Sequence, residues 1–145
     1  MREPARILSV SPSPEDHLAL ERIVDAIPAE AGWTVQRSST LASALATLRA
    51  SPIAVVICER DLLPGTWIDM LDPIARTFDP PLLIVTSRRA DNRLWAEALN
   101  RGAYDVVAKP FHTGELALVI ALACRHWVDR RPAPARVMTA LPAAS

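Results

Sequence analysis

Glycine is scarce in this chain, at 4 residues in 145, and cysteine is scarcer, at 2. So few glycines leave no Gly-rich loop in which backbone amides cradle a phosphate or a dinucleotide. Cys58 and Cys124 are too few and too far apart for a disulfide framework or a zinc site, and each lies in an apolar run, as a reduced core thiol does. No uninterrupted apolar stretch reaches the roughly 18 residues that a membrane-spanning helix needs. The opening MREPARILSV also lacks the apolar core of a secretory signal. A cytoplasmic location is expected. Excess charge of either sign is missing too, because Lys plus Arg equals Asp plus Glu at 16 each. Neither nucleic acid nor an anionic membrane has a net field to follow. His17, His112 and His126 have no ligand spacing, and no Ser/His/Asp arrangement stands out, so no metal centre and no hydrolytic site are expected.

What is present is apolar and patterned. Half of the residues are hydrophobic and 22% are charged, enough for burial to offset chain entropy. A chain of this length forms one ordinary domain and buries roughly 68–70% of its unfolded surface. That domain is expected over residues 1–130. The composition changes over residues 131–145, RPAPARVMTALPAAS, into a Pro/Ala-rich tail without periodicity, expected to be flexible.

Five short β-type runs alternate with helical patterns. Ala5–Val10, Trp33–Arg37, Ile53–Cys58, Leu82–Thr86 and Tyr104–Ala108 are the expected strands, and the third and fourth are nearly continuous aliphatic runs, as in parallel strands covered on both faces. Ser13, with Pro14 and Asp16 behind it, reads as the start of a first helix bearing Leu20, Ile23, Val24 and Ile27, closed by Pro28 and Gly32. Ser39 or Thr40 caps a second, with Leu41, Leu45 and Leu48 on one stripe. A third, near Thr66–Phe78, contains Pro73 and is expected to break or kink there. Asp91 caps a fourth, carrying Leu94, Trp95, Ala98 and Leu99 and stopping at Gly102. Thr113 caps the last, from Gly114 to about Asp129. Five β/α units with short connections imply an α/β fold, a doubly wound five-stranded parallel sheet of flavodoxin-like type. Sites in such folds lie beyond the C-terminal strand ends, here just after Val10, Cys58, Thr86 and Ala108.

At those ends stand Glu59 with Leu62-Leu63-Pro64-Gly65 following, Thr86-Ser87, and Lys109-Pro110-Phe111, with Gly102-Ala103 seven residues before Lys109. Together they resemble the receiver domain of bacterial two-component response regulators, over about Ala5 to Asp129. The resemblance implies a phosphoacceptor aspartate at the end of the third strand. The counterpart here is Glu59, with a register slip to Cys58 or Arg60 left open. A glutamate carries its carboxylate one methylene further out, and about 1 Å of misplacement can cost a hundredfold in rate, so Glu59 reads as a fixed anion. The resemblance also implies two magnesium-holding acids after the first strand, where this chain has Ser11 and Pro12. Neither supplies the carboxylate oxygen that magnesium wants, so magnesium binding is doubtful and no cofactor is expected. Glu15 and Asp16 are alternatives, but first-turn acids serve the helix dipole and are read that way. Lys109 matches the family's phosphoryl-contacting lysine and is expected to pair with Glu59. Thr86 matches the mobile hydroxyl residue, while Ser87 and Pro110 complete the pocket. Val106 stands where many members carry a switching aromatic, with Tyr104 two residues earlier expected on the same strand face.

On the fifth helix Leu116, Val119, Ile120, Ala123 and Trp127 form an inward stripe, whereas Leu118 and Leu122 fall outside it. They are the expected partner surface. The resemblance places docking or self-association on the fourth helix, fifth strand and fifth helix. Arg88, Arg89, Arg93, Arg130 and Arg131 read as solvated helix ends. The expected function is phosphorylation-independent protein interaction within two-component signalling, not an enzyme, with a histidine kinase or another signalling protein as partner and no nucleic acid or membrane. The alternative is an active phospho-accepting receiver that uses Glu59 or a neighbour with substitute magnesium ligands. No effector domain is recognised in the chain, so output is expected through another protein, or the chain is a piece of a longer one.

Overall fold

The computed structural model describes residues 6–27 and 32–130. Five strands form one parallel sheet: β1 (Arg6–Val10), β2 (Thr34–Ser38), β3 (Val55–Glu59), β4 (Leu82–Ser87) and β5 (Asp105–Ala108). Their spatial order is β2-β1-β3-β4-β5, so the order reverses between β1 and β3, and that is where a crevice opens at the carboxyl ends. The register aligns those ends: Val10 pairs with Cys58, Glu59 with Thr86, and Ser87 with Ala108. Each expected strand is found within one or two residues. For β3 the shift places Glu59 as the last strand residue, where pairing fixes its backbone.

The aliphatic runs of β3 and β4 are buried because helices cover both faces. On one face α1 (Pro14–Asp25) and α5 (Thr113–Arg130) close over Ile7, Val55, Ile57 and Ile84. On the other, α2 (Leu41–Ala50), α3 (Leu71–Ala75) and α4 (Asn92–Asn100) close over Leu8, Val10, Val56 and Val85. Strand alternation delivers successive residues to these two cores.

Local chemistry sets the helix bounds. Thr40 accepts from the Ser43 N–H at 3.1 Å and Asp91 from the Leu94 N–H at 2.9 Å, which satisfies first-turn amides that have no partner within the helix. Ser13 does not cap α1 with its side chain. Its N–H donates instead to Ser11 Oγ at 3.1 Å. The third helix is shorter than expected: a 3-10 turn over Trp67–Met70 leads into α3 and the helix stops at Ala75. The interruption falls where the 3-10 turn passes into α3 at Met70–Leu71, and Pro73 lies in the first turn of α3, where a missing N–H is harmless. Thr113 is the first residue of α5 and not its cap. In α4, Leu94 and Ala98 are buried but Trp95 is half exposed, so Trp95 does not belong to the core stripe. Glycine is required at position 65, where φ is +89° and a Cβ would meet Asp69 Oδ2 at 2.9 Å. That carboxylate is occupied, accepting the Thr66 N–H in a capping box that starts the 3-10 turn. The expected closure of α1 at Pro28 and the 131–145 tail lie outside the described residues.

Candidate functional site: a neutralised strand-end pocket

Lys109 follows β5, and its N–H donates to the Ser87 carbonyl at 3.0 Å, which directs the side chain back over the sheet end. The Lys109–Pro110 peptide is cis. The ammonium meets two carboxylates, contacting Glu59 Oε1 from β3 and donating to Asp16 Oδ2 from α1 at 2.7 Å. All three side chains are largely buried, at 9% exposure for Lys109, 14% for Asp16 and 13% for Glu59. Desolvation works against the charge on Lys109, but the hydrogen bonds and fields of Asp16 and Glu59 outweigh it and hold its pKa above the ordinary lysine value.

Asp16 is the residue the sequence misassigns. Its place in the first turn of α1 suits the helix dipole. Its carboxylate nevertheless turns into the pocket, accepting from Ser11 Oγ at 2.6 Å as well as from Lys109. Glu15, one residue earlier, is exposed. Ser11 is buried, and its N–H donates to the Ser38 carbonyl at 3.0 Å, so β2 fixes the loop after β1. Thr86 and Ser87 are buried at the end of β4. Thr86 lies beside Glu59 in the ladder, and Ser87 Oγ accepts the Arg89 N–H at 3.0 Å. Pro12 and Pro110 are exposed.

A second residue missed from the sequence is His17, which is buried beneath the pocket. Its Nε2 lies 3.0 Å from the Ser11 carbonyl and its Nδ1 2.7 Å from Ser9 Oγ. A carbonyl only accepts, so Nε2 carries the proton, and in the neutral ring Nδ1 accepts from the Ser9 hydroxyl. Burial lowers the His17 pKa and favours that neutral form. Hydrogen bonds and the ion pairs thus join Ser9, His17, Ser11, Asp16, Lys109 and Glu59. The spacing of His17 to Leu20 and Val24 was the available signal, because it continues the inward stripe of α1.

Tyr104 does not share a face with Val106. It precedes β5 and packs on the α1/α5 side, its hydroxyl 2.7 Å from His126 Nδ1, whereas Val106 packs on the α2/α3/α4 side. The strand starts at Asp105, so the period-2 alternation does not extend back to Tyr104. On α5, Leu118 is 60% and Leu122 44% exposed.

The family that the sequence resembles holds magnesium on carboxylates. Here Ser11 and Pro12 bring none, and the two carboxylates present are both engaged by Lys109. Among the described residues no three His, Cys, Asp or Glu side chains are grouped to hold a metal ion.

The model of the response regulator receiver domain matches residues 14–121, which include α1, the β3 end and the Lys109 loop. The chain belongs to that family. As a receiver domain it is a component of two-component signalling, a system whose members meet signalling partners such as kinases. A relative described as an NtrX-like response regulator from Rickettsia bellii (strain RML369-C) is 26% identical over 113 residues, 76% of this chain. The chain spans 23% of that relative's length. Among solved structures, the receiver domain of an HD domain-containing protein from Pseudomonas fluorescens Pf-5 superposes with a TM-score of 0.79 at 22% identity, covering 90% of this chain and 94% of that one. The beryllofluoride-activated NtrC4 receiver domain, described as a dimer, gives 0.74 at 21% identity, covering 84% and 98%. Likeness at that identity speaks to the fold. No helix among the described residues is long and apolar enough to cross a membrane.

Proposed function

We propose that this receiver works as a protein-interaction module that neither catalyses its own phosphorylation nor holds magnesium. The observation that carries the reading is the Lys109 ammonium set between Asp16 and Glu59. A transferring phosphoryl group brings negative charge that a receiver offsets with a metal and a lysine. In this pocket the lysine is already committed to two internal anions, and a phosphoryl group would displace at least one of them. The exposed Leu118 and Leu122, with the half-exposed Trp95 on α4, support the α4, β5 and α5 side as the partner surface. The partner is a signalling protein or a second copy, and the balanced charge argues against nucleic acid.

Phospho-acceptance on Glu59 is the second reading. Asp16 is the observation in its favour, because it brings a further carboxylate into the pocket. Titration of the chain with magnesium plus beryllofluoride, followed by backbone NMR, separates the two. Unchanged amide shifts are expected. Saturable, magnesium-dependent shifts at Glu59, Thr86 and Lys109 would overturn the interaction-module reading.

A further inference from the structure

At the opposite end of the sheet from Lys109, a groove of about 920 Å³ lies between the C-terminal ends of α2 and α3. Leu45, Leu48, Pro52, Pro73 and Pro81 provide its apolar lining. Phe78 belongs to the same patch and is fully exposed, an unusual state for a side chain able to bury about 150 Å² or more. One patch thus carries both an apolar hollow and a ring with nothing against it.

The charges around the groove indicate what occupies it. Arg49 and Arg76 are matched in number by Asp72 and Asp79, and Arg76 pairs with Asp72 at 3.2 Å in the open. A strongly acidic or strongly basic partner would meet as much repulsion as attraction there, whereas a surface of the same balanced kind can be complementary. A two-fold axis brings one patch of each copy together, so that ring faces hollow twice and each sign can face its opposite. We propose that two copies of this chain pair through the α2/α3 groove about such an axis, the Phe78 ring of each entering the groove of the other. The Arg76–Asp72 pair can exchange partners across the axis readily, because an exposed ion pair is only weakly held. Two phenyl rings bury about 300 Å² at the centre of a small interface, so pairing is reversible and depends on concentration. This surface is separate from the α4, β5 and α5 side.

Sedimentation equilibrium of the full chain, from micromolar to millimolar concentration, tests the pairing. The mean mass is expected to rise toward twice that of one chain. Phe78→Ser should weaken association about tenfold or more, as removal of a central aromatic anchor does. The ring is fully exposed in the single chain, so this variant folds. Asp72→Arg leaves three arginines against one aspartate in the patch, and Arg76→Asp leaves three aspartates against one arginine. Each of these two variants alone is expected to stay monomeric, and an equimolar mixture of them to pair. Leu118→Glu, on α5, should leave association unchanged. A chain that is monomeric throughout would overturn the proposal, and so would pairing that survives Phe78→Ser or is lost in Leu118→Glu. Failure of the two charge variants to pair when mixed would overturn it equally.

Discussion

The two ends of the sheet solve opposite problems. At the carboxyl end three charged side chains are largely buried, and each is satisfied from within: Lys109 by Asp16 and Glu59, and Asp16 further by Ser11. At the amino end the rim carries little uncompensated charge, but apolar surface stays open around Phe78. The end that carries chemistry in the receiver family is thus closed on itself, and the surface with unmet packing capacity lies at the other end. A buried charge left alone costs several kcal/mol, whereas an exposed aromatic costs little until something covers it. The fold therefore has strong reason to complete the first end internally and weak reason to complete the second.

The largest effect should come from breaking the charged end. Lys109→Met leaves Asp16 and Glu59 without their shared cation and is expected to cost about 3–5 kcal/mol in urea denaturation, the range for removing one partner of a buried pair. Adding Asp16→Asn and Glu59→Gln to that variant should recover most of the loss. Failure to recover would mean that the lysine acts through its packing and not its charge.

A smaller, pH-dependent effect is expected from His17. Its pKa is lowered, first by burial and then by Arg37, while the Ser11 carbonyl, Asp16 and Glu21 oppose the shift. Between that lowered value and the ordinary 6.5, the unfolded chain binds more protons than the folded one. Stability is therefore full above 6.5 and falls as pH drops below it. The urea midpoint should be lower at pH 5.5 than at pH 7.5, and His17→Gln should narrow the gap. An unchanged gap would assign the dependence to other groups.

The smallest effect belongs to the amino end. Phe78→Ser should change global stability by no more than about 0.5 kcal/mol, as surface substitutions do. A loss of several kcal/mol would show that Phe78 is a core residue in solution, and the comparison between the two ends would collapse.

The order and kind of elements could be read from the chain alone. Aliphatic runs such as Val55–Cys58 and Leu82–Val85, caps such as Thr40 and Asp91, and the stop at Gly102 act within a few residues, so local sterics and periodicity settle them. The strand ends, and with them Glu59 and Lys109, followed from that alternation together with the family resemblance. Only the tertiary structure decided where side chains turn once the elements had packed. Asp16 pairs with Lys109 across 93 residues, and no local pattern distinguishes such a residue from an ordinary first-turn acid. Tyr104 parted from Val106 because the strand begins one residue later than its apolar run suggests. The Phe78 groove exists only because α2 and α3 end side by side. Secondary structure is set by near neighbours along the chain, whereas charge pairing and grooves are set by neighbours in space.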